Sequence, residues 1–349
     1  MKIGRAVVFA LLCSLVAAPA QAQIAIAPPW PAEVTVPFSH HLKFTSSING
    51  ESYTLLIQVP SIAPPPPGGY PVIYVLDGDQ FFGTASDINL AGAGRTAVVV
   101  AIGHGLLEDM AVVAQYAGRK AGDNSPIGPA DIGQATNALR FHDLALPVAP
   151  AHRAPAWTGL TPDSVGGLDD FLRVIETEIK PKVAALVHIN PADSALFGHS
   201  IGGLAVLRAL FTEPTAFRTF IAASPSIWWD ANSVLADENN FDKAVESGRA
   251  SPRVLITVGA EEPDKLDPPQ AFLDSLPPDR KSDVIAYVKM AGSWEGMISG
   301  ARNLAGRLGK LHGGSNYKVE FVSFPGERHE TVPPAALSRG MHFALETQP

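Results

Sequence analysis

The order of hydrophobic and polar positions along the chain predicts an α/β fold. Short, almost wholly apolar runs are typical of strands buried on both faces of a parallel sheet. Longer segments with apolar residues at every third or fourth position indicate helices that cover such a sheet. The predicted strands are residues 52–59, 71–76, 96–102, 194–197, 217–223, 253–258 and 317–324, and the predicted helices are 168–187, 204–211 and 295–311. We therefore expect residues 23–349 to form one domain with a mostly parallel central sheet and helices on both faces.

Two segments interrupt this regular order. The proline-rich stretch 60–69 lies between two predicted strands, and we interpret it as the loop of a hairpin. Residues 106–167 are the least regular part of the chain, with many Gly, Pro and Ala residues and only brief periodicity. This second segment is expected to be either a lid that shapes a site or a tolerated surface insertion. Pro181 is expected to bend or split the helix predicted over 168–187.

The first 22 residues have the three parts of a secretory signal peptide. Lys2 and Arg5 form a charged start, residues 6–18 form an apolar run, and residues 20–22 (Ala-Gln-Ala) match a small-x-small cleavage site. The apolar run is shorter than the roughly 20 residues that a membrane-spanning helix needs. We therefore expect removal of residues 1–22 on export, no membrane anchor afterwards, and a periplasmic or secreted protein.

Composition narrows the possible partners and crosslinks. The one cysteine, Cys13, lies inside the predicted signal peptide, so no disulfide framework is expected. The formal net charge is −8 at pH 7, and loss of Lys2 and Arg5 with the signal makes the remaining chain more acidic. Such a chain would be repelled by nucleic acid and by anionic membrane surfaces, so neither is expected as a partner.

The strongest chemical signal is the sequence Gly198-His-Ser-Ile-Gly202, which lies between a predicted strand and a predicted helix. A Gly-x-Ser-x-Gly sequence in that context is typical of a sharp turn that exposes a nucleophilic serine. The start of the following helix adds positive potential where an oxyanion would develop. We therefore expect Ser200 to be a catalytic nucleophile.

A serine hydroxyl needs a base to remove its proton, and a histidine usually supplies it. In folds with this turn the chain order is Ser, acid, His, which leaves three histidines after Ser200. His329 directly follows the last predicted strand, whereas His312 trails a helix and His342 lies within the final helix. His329 is therefore the expected base.

The acid that orients the histidine is expected in the loop after the strand 253–258. Glu261, Glu262 and Asp264 all lie in this loop, and Glu262 is favoured while the other two remain open. The two oxyanion donors are expected to be main-chain N–H groups, one from Ile201 and one from Asp79 or Gln80 after the strand 71–76. Asp77 and Asp79 without further ligands are weak support for a metal site, so no metal is expected.

Five segments, in this order, resemble the esterase branch of the α/β-hydrolases that includes enterobactin-type siderophore esterases and esterase D-like enzymes. The segments are Tyr74-Val-Leu-Asp-Gly-Asp79, Phe197-Gly-His-Ser-Ile-Gly-Gly-Leu204, Ala223-Ser-Pro-Ser-Ile-Trp-Trp229, Val258-Gly-Ala-Glu-Glu262 and Phe324-Pro-Gly-Glu-Arg-His329. The resemblance implies an α/β-hydrolase fold and ester hydrolysis through an acyl-serine, without a cofactor. It supports Ser200 and His329, and it puts the acid at Glu262.

The resemblance also implies residues that would line the substrate site. Trp228 and Trp229 follow the end of a predicted strand, and they would either line the site or pack in the core. Relatives often carry an Arg-x-x-Asp segment ahead of the nucleophile, and Arg140-Phe-His-Asp143 is similar. A substrate contact is therefore implied for Arg140.

These residues together predict an exported serine esterase whose partner is a small-molecule ester. Siderophore lactones, acetylated carbohydrates, feruloyl esters and simple short esters all fit the same chemistry. An acyltransferase would use the same residues, because an alcohol can replace water in the second step. A binding protein that has kept the fold and lost the chemistry is the rival from another functional class.

Overall fold

The computed structural model describes residues 35–60, 64–91, 97–106, 108–119, 125–152, 164–264, 270–291 and 296–346, and the predicted signal peptide lies outside them. The strands are β1 (Ser39–Thr45), β2 (Ser52–Gln58), β3 (Tyr70–Val75), β4 (Val98–Gly103), β5 (Ile189–His199), β6 (Thr219–Ala223), β7 (Arg253–Gly259) and β8 (Lys318–Phe324). The helices are α1 (Gly78–Ala91), α2 (Met110–Tyr116), α3 (Pro129–Leu144), α4 (Leu168–Val174), α5 (Lys180–Leu186), α6 (Ile201–Thr212), α7 (Glu238–Glu246), α8 (Gln270–Ser275), α9 (Pro278–Ala291), α10 (Met297–Leu308) and α11 (Pro333–Leu345). None of the helices in these ranges is long and apolar enough to cross a membrane.

The strands of the described residues form one sheet, in the order β1-β2-β4-β3-β5-β6-β7-β8. The pairs β1/β2 and β2/β4 are antiparallel, and the pairings from β4 to β8 are parallel. The predicted hairpin over 60–69 is wrong, because β4 lies between the two strands that this segment connects. Strands β2 and β3 are therefore not neighbours in the sheet, and residues 61–63 of the segment lie outside the described residues.

Helices cover both faces of the sheet, as predicted. Successive residues of a strand point to opposite faces. Tyr74 and Leu196 lie in a buried cluster with residues of α4, α6 and α10. Their neighbours Ile73 and Phe197 lie in a second cluster on the other face, with residues of α1 and α11. Burial on both faces explains why these strands are continuous apolar runs in the sequence.

The local structure differs from the prediction at two places and agrees with it at a third. The described part of the segment 106–167, predicted to be irregular, contains helices α2 and α3, whose small residues gave little periodicity, and residues 107, 120–124 and 153–163 lie outside it. The predicted helix 168–187 is split as expected: a π-helical turn, Ile175–Ile179, separates α4 from α5, and Pro181 lies in the first turn of α5. Strand β1 was not predicted, because this edge strand is partly exposed and its sequence is largely polar.

Candidate active site

Ser200 lies at the sharp turn between β5 and α6, at the carboxyl end of the sheet. Its backbone angles are φ 62° and ψ −117°, a region that costs a non-glycine residue about 1–3 kcal/mol. Hydrogen bonds hold this conformation: the Ser200 N–H donates to the Ala223 carbonyl at 2.9 Å, and the Ser226 N–H donates to the Ser200 carbonyl at 3.0 Å. A Cβ atom at Gly198 would lie 2.2 Å from the Gly202 carbonyl oxygen, so the turn requires glycine there.

The structure brings Ser200, His329 and Glu262 together in one hydrogen-bonded chain. His329 Nε2 lies 2.8 Å from Ser200 Oγ, and His329 Nδ1 lies 2.9 Å from Glu262 Oε2. The Glu262 side chain is fully buried, and the His329 side chain is 9% exposed. His329 reaches this position from the loop between β8 and α11. This is the arrangement in which a histidine can accept the serine proton and a carboxylate can fix the tautomer of the ring.

Of the three candidate carboxylates, Glu262 is the one that contacts His329. Its other oxygen, Oε1, accepts hydrogen bonds from Ser224 Oγ at 2.5 Å and from the Gly259 N–H at 2.6 Å. Glu261 is half exposed and pairs with Arg328 at the surface. Asp264 accepts the N–H of Ser299 at 2.7 Å, at the start of α10. The rejected histidines, His312 and His342, are both exposed.

His199, which the sequence analysis did not single out, contacts His329. The ring centroids of the two histidines are 4.6 Å apart and their planes are inclined by 39°. The ring of Phe81 meets His199 edge-on at 6.2 Å. Burial lowers the pKa of His199 well below 6.5, and the nearby His329 and Arg140 act in the same direction. His199 Nε2 is buried and has no hydrogen-bond partner among the described residues. The pattern Gly-x-Ser-x-Gly leaves this position unspecified, so the sequence held no signal for it.

The residues predicted as oxyanion donors lie at the starts of α6 and α1. Ile201 is the first residue of α6 and Asp79 the second of α1, and the first N–H groups of a helix have no acceptor within that helix. The N–H of Gln80 is different, because it donates to the Asp77 carbonyl at 2.9 Å. Of the two alternatives on α1, Asp79 is therefore the one that fits.

The Asp79 carboxylate binds main-chain N–H groups of the loop after β4. It accepts the N–H of His104 at 2.8 Å and the N–H of Gly105 at 3.0 Å, and so ties the loop after β4 to the start of α1. No group of three or more His, Cys, Asp or Glu side chains suited to holding a metal ion is found among the described residues.

Arg140 and Asp143, one turn apart on α3, make two separate polar contacts beneath the site. The guanidinium of Arg140 holds the Asp77 carboxylate with two hydrogen bonds, from Nε to Oδ1 at 2.5 Å and from Nη2 to Oδ2 at 3.0 Å. Asp143 is buried and accepts hydrogen bonds from Tyr53 Oη at 2.9 Å and His142 Nδ1 at 2.8 Å. His104 Nε2 lies 3.2 Å from the same carboxylate.

The paired tryptophans, Trp228 and Trp229, are packed in the core beside the turn at Ser226. Trp228 is 8% and Trp229 is 3% exposed. Trp229 Nε1 donates to the Leu146 carbonyl at 2.8 Å, and its ring stacks on Phe141 with centroids 5.7 Å apart. Of the two interpretations open in the sequence, these contacts favour core packing. Trp229 thereby ties the loop after β6 to the end of α3.

A model of the family described as "Putative esterase" matches residues 46–290, which is more than half of the chain. The chain belongs to this esterase family. It is therefore a carboxylic ester hydrolase, as the resemblance implied. The matched region carries Ser200 and Glu262 and ends before His329.

Known relatives match most of the chain. The ferri-bacillibactin esterase BesA of Bacillus subtilis is 29% identical over 314 residues, which cover 89% of this chain and 91% of that protein. The siderophore triacetylfusarinine C esterase of Aspergillus fumigatus is 29% identical over 293 residues, covering 81% of this chain and 84% of that protein.

Solved structures confirm the α/β-hydrolase fold. The BES protein from Bacillus cereus has a TM-score of 0.67 at 27% identity, covering 91% of this chain and 100% of that one. The siderophore hydrolase EstB from Aspergillus nidulans has a TM-score of 0.63 at 26% identity, covering 91% of this chain and 99% of that one.

Proposed function

We propose that this protein is an exported serine esterase that hydrolyses siderophore-type esters through an acyl-serine intermediate. The observation that carries the proposal is the position of His329, whose two ring nitrogens contact Ser200 and Glu262 at 2.8 and 2.9 Å. A nucleophile, a base and an orienting carboxylate in this relation are the parts that acyl transfer requires.

In the proposed reaction, Ser200 Oγ attacks the ester carbonyl while His329 Nε2 takes the hydroxyl proton. The carbonyl oxygen becomes an oxyanion, which the N–H groups of Ile201 and Asp79 stabilise. The tetrahedral intermediate collapses, the carbon–oxygen bond to the alcohol breaks, and the alcohol leaves with the proton from His329. A water molecule then attacks the acyl-serine, with His329 again acting as base, and the carboxylic acid is released. Throughout, Glu262 holds the ring and stabilises the imidazolium.

The substrate class rests on the relatives. Two relatives that match most of the chain carry the names ferri-bacillibactin esterase and siderophore triacetylfusarinine C esterase, and one similar solved structure carries the name of a siderophore hydrolase. A siderophore joined by ester bonds is a small molecule and offers the carbonyl that Ser200 would attack. Export is supported by the signal-like sequence of residues 1–22, which would deliver the enzyme to the periplasm or the medium.

The serine mechanism is tested with a fluorophosphonate probe, which labels activated serines, on the purified protein without residues 1–22. The wild type is expected to be labelled and Ser200→Ala is expected not to be. Ser226→Ala is the matched control, because Ser226 Oγ lies 3.5 Å from Ser200 Oγ and could be labelled in its place. Equal labelling of Ser200→Ala and the wild type would refute the serine assignment.

The substrate class is tested by comparing kcat/KM on intact ester siderophores, acetylated sugars, a feruloyl ester and a short p-nitrophenyl ester. We expect the siderophore esters to be the best substrates by at least about tenfold, a difference of roughly 1.4 kcal/mol in transition-state binding. A feruloyl ester or acetylated sugar with the highest kcat/KM would overturn the siderophore assignment and leave the serine mechanism intact.

A further inference from the structure

We infer that Asp77 and Arg140 are positioning residues that set the distance between the two oxyanion donors. The two residues form an ion pair, the Asp77–Arg140 latch. The inference rests on the proposed function, because it concerns how the N–H groups of Ile201 and Asp79 are held for that reaction.

The latch controls the start of α1 through the backbone of Asp77. This residue lies two positions after the end of β3 and has a φ of 56°, an uncommon value for a non-glycine residue. Its carbonyl oxygen accepts the N–H groups of Gln80 at 2.9 Å and Phe81 at 3.1 Å, which starts the helix. The direction of the Asp79 N–H therefore follows from the conformation of Asp77.

The Asp77–Arg140 latch stabilises this backbone conformation by fixing the side chain of Asp77. Asp77 has a side chain that is 2% exposed, and Arg140 clamps both of its oxygens, with Nε at 2.5 Å and Nη2 at 3.0 Å. A two-point contact of this kind fixes the orientation of the carboxylate as well as its position. Lysine could supply the charge of Arg140 but not the planar pair of donors.

The same carboxylate also lies against the element that carries the other oxyanion donor. A Cβ atom at Gly202 would be 3.3 Å from Asp77 Oδ2, so this oxygen packs on the first turn of α6, beside Ile201. Asp77 thus contacts the start of α6 with its side chain and starts α1 with its backbone. A shift of Asp77 would change the spacing of the two donors, to which oxyanion stabilisation is sensitive.

This role for Arg140 differs from the substrate contact that the family resemblance implied. Two of the nitrogens of its guanidinium are engaged by Asp77, and its side chain is 19% exposed. A substrate contact would act on binding of anionic esters, whereas a positioning role acts on the chemical step for every ester. Loss of a substrate contact would therefore change KM for anionic esters, whereas loss of a positioning contact would lower kcat for every ester.

The test compares Asp77→Asn, Arg140→Lys and the double variant on two esters, neutral p-nitrophenyl acetate and an anionic p-nitrophenyl hemisuccinate. We expect each single variant to lower kcat about 10- to 100-fold on both esters, with KM changed less than about threefold. The kcat of the double variant is expected to lie within about twofold of the kcat of the slower single variant, because both substitutions break the same contact. Arg307→Lys is the control: it breaks a similar two-point pair with Glu238 outside the site and should leave kcat unchanged.

Unchanged kcat in both single variants would overturn the inference, as would an Arg140→Lys effect confined to the KM of the anionic ester. All assays are run below the unfolding temperature of each variant, measured by circular dichroism, so that loss of fold is not read as loss of positioning. Should Arg140→Lys fail to fold, Asp77→Asn, which preserves the shape of the side chain, tests the same contact. Failure of the proposed function has a different signature, since Ser200→Ala would then retain activity.

Discussion

The imidazole ring of His199 packs against that of His329, with centroids 4.6 Å apart. The edge of the His329 ring is held by Ser200 and Glu262, and His199 supports its face. In the proposed reaction, a base that is held on three sides keeps the orientation that proton transfer requires and needs no rearrangement in each turnover. The packed face is neutral, because burial lowers the pKa of His199 well below 6.5.

His199 is expected to make the protein less stable as the pH falls. Below pH 6.5 the unfolded chain binds a proton at this histidine and the folded chain does not, so protonation favours unfolding. His199→Phe removes this effect, which is up to about 1.4 kcal/mol per pH unit. Urea unfolding at pH 7.5 and 5.5 measures it: the wild type should lose more free energy of unfolding between the two values than the variant does. An equal loss in both proteins would contradict the prediction, and His342→Phe, at an exposed site, is the control.

Glu262→Gln is expected to lower kcat by about 10²- to 10⁴-fold, because the amide cannot stabilise the imidazolium and favours the wrong tautomer of His329. The neighbouring Glu261→Gln is the matched control, since Glu261 pairs with Arg328 at the surface and should give nearly wild-type kcat. Steady-state kinetics on p-nitrophenyl acetate decides the matter. Comparable losses of kcat in both variants, or a loss in Glu261→Gln alone, would show that Glu262 is not the acid.

Asp143→Asn is expected to destabilise the protein by about 3 kcal/mol, since it removes a buried carboxylate that pairs with His104 and His142. Burial lowers the pKa of His104, but its contacts with Asp143 outweigh burial and leave this pKa raised above 6.5; the hydrogen bond to Asp143 also raises that of His142. Burial raises the pKa of Asp143, and the two histidines outweigh it, so this pKa is lowered from 3.8.

The stabilisation by this cluster therefore has a pH window. The histidine contribution is fully present below pH 6.5 and is lost as the pH rises through the raised values in the folded protein. The carboxylate contribution is present above pH 3.8 and is lost as the pH falls through the lowered value. Chemical unfolding of wild type and Asp143→Asn should differ more at pH 6 than at pH 9. A difference that grows towards pH 9 would be inconsistent with these shifts.

Two helical glycines should respond to alanine in opposite directions. A Cβ atom at Gly306 in α10 would meet nothing within 4 Å, so Gly306→Ala is expected to stabilise the protein by about 0.5–1 kcal/mol through helix propensity. At Gly340 in α11 it would lie 2.7 Å from Ile221 Cγ2 in the core, so Gly340→Ala is expected to destabilise by about 1–3 kcal/mol. Thermal unfolding of the pair measures both effects. Equal shifts in the midpoint would mean that packing at Gly340 does not decide the outcome.

The sequence by itself was enough to predict the α/β fold and, of the hydrogen-bonded chain, Ser200 and His329. Strands buried on both faces must be apolar throughout, so their positions could be predicted from local composition. The sharp turn at Ser200 needs small neighbours on both sides, and Gly198 and Gly202 are therefore recognisable in the sequence. His329 could be predicted because a loop at the end of a strand reaches the same edge of the sheet as Ser200 does.

Tertiary structure decided what depends on contacts between distant segments. Glu261, Glu262 and Asp264 are alike in sequence, and only the loop conformation turns Glu262 towards His329 while the other two meet Arg328 and Ser299. The partner of Arg140 is Asp77, which is 63 residues away in the chain. Local patterns record which residues are buried or turn the chain, but a side chain's partner is set by how helices and strands pack together, and that information is spread over the whole sequence.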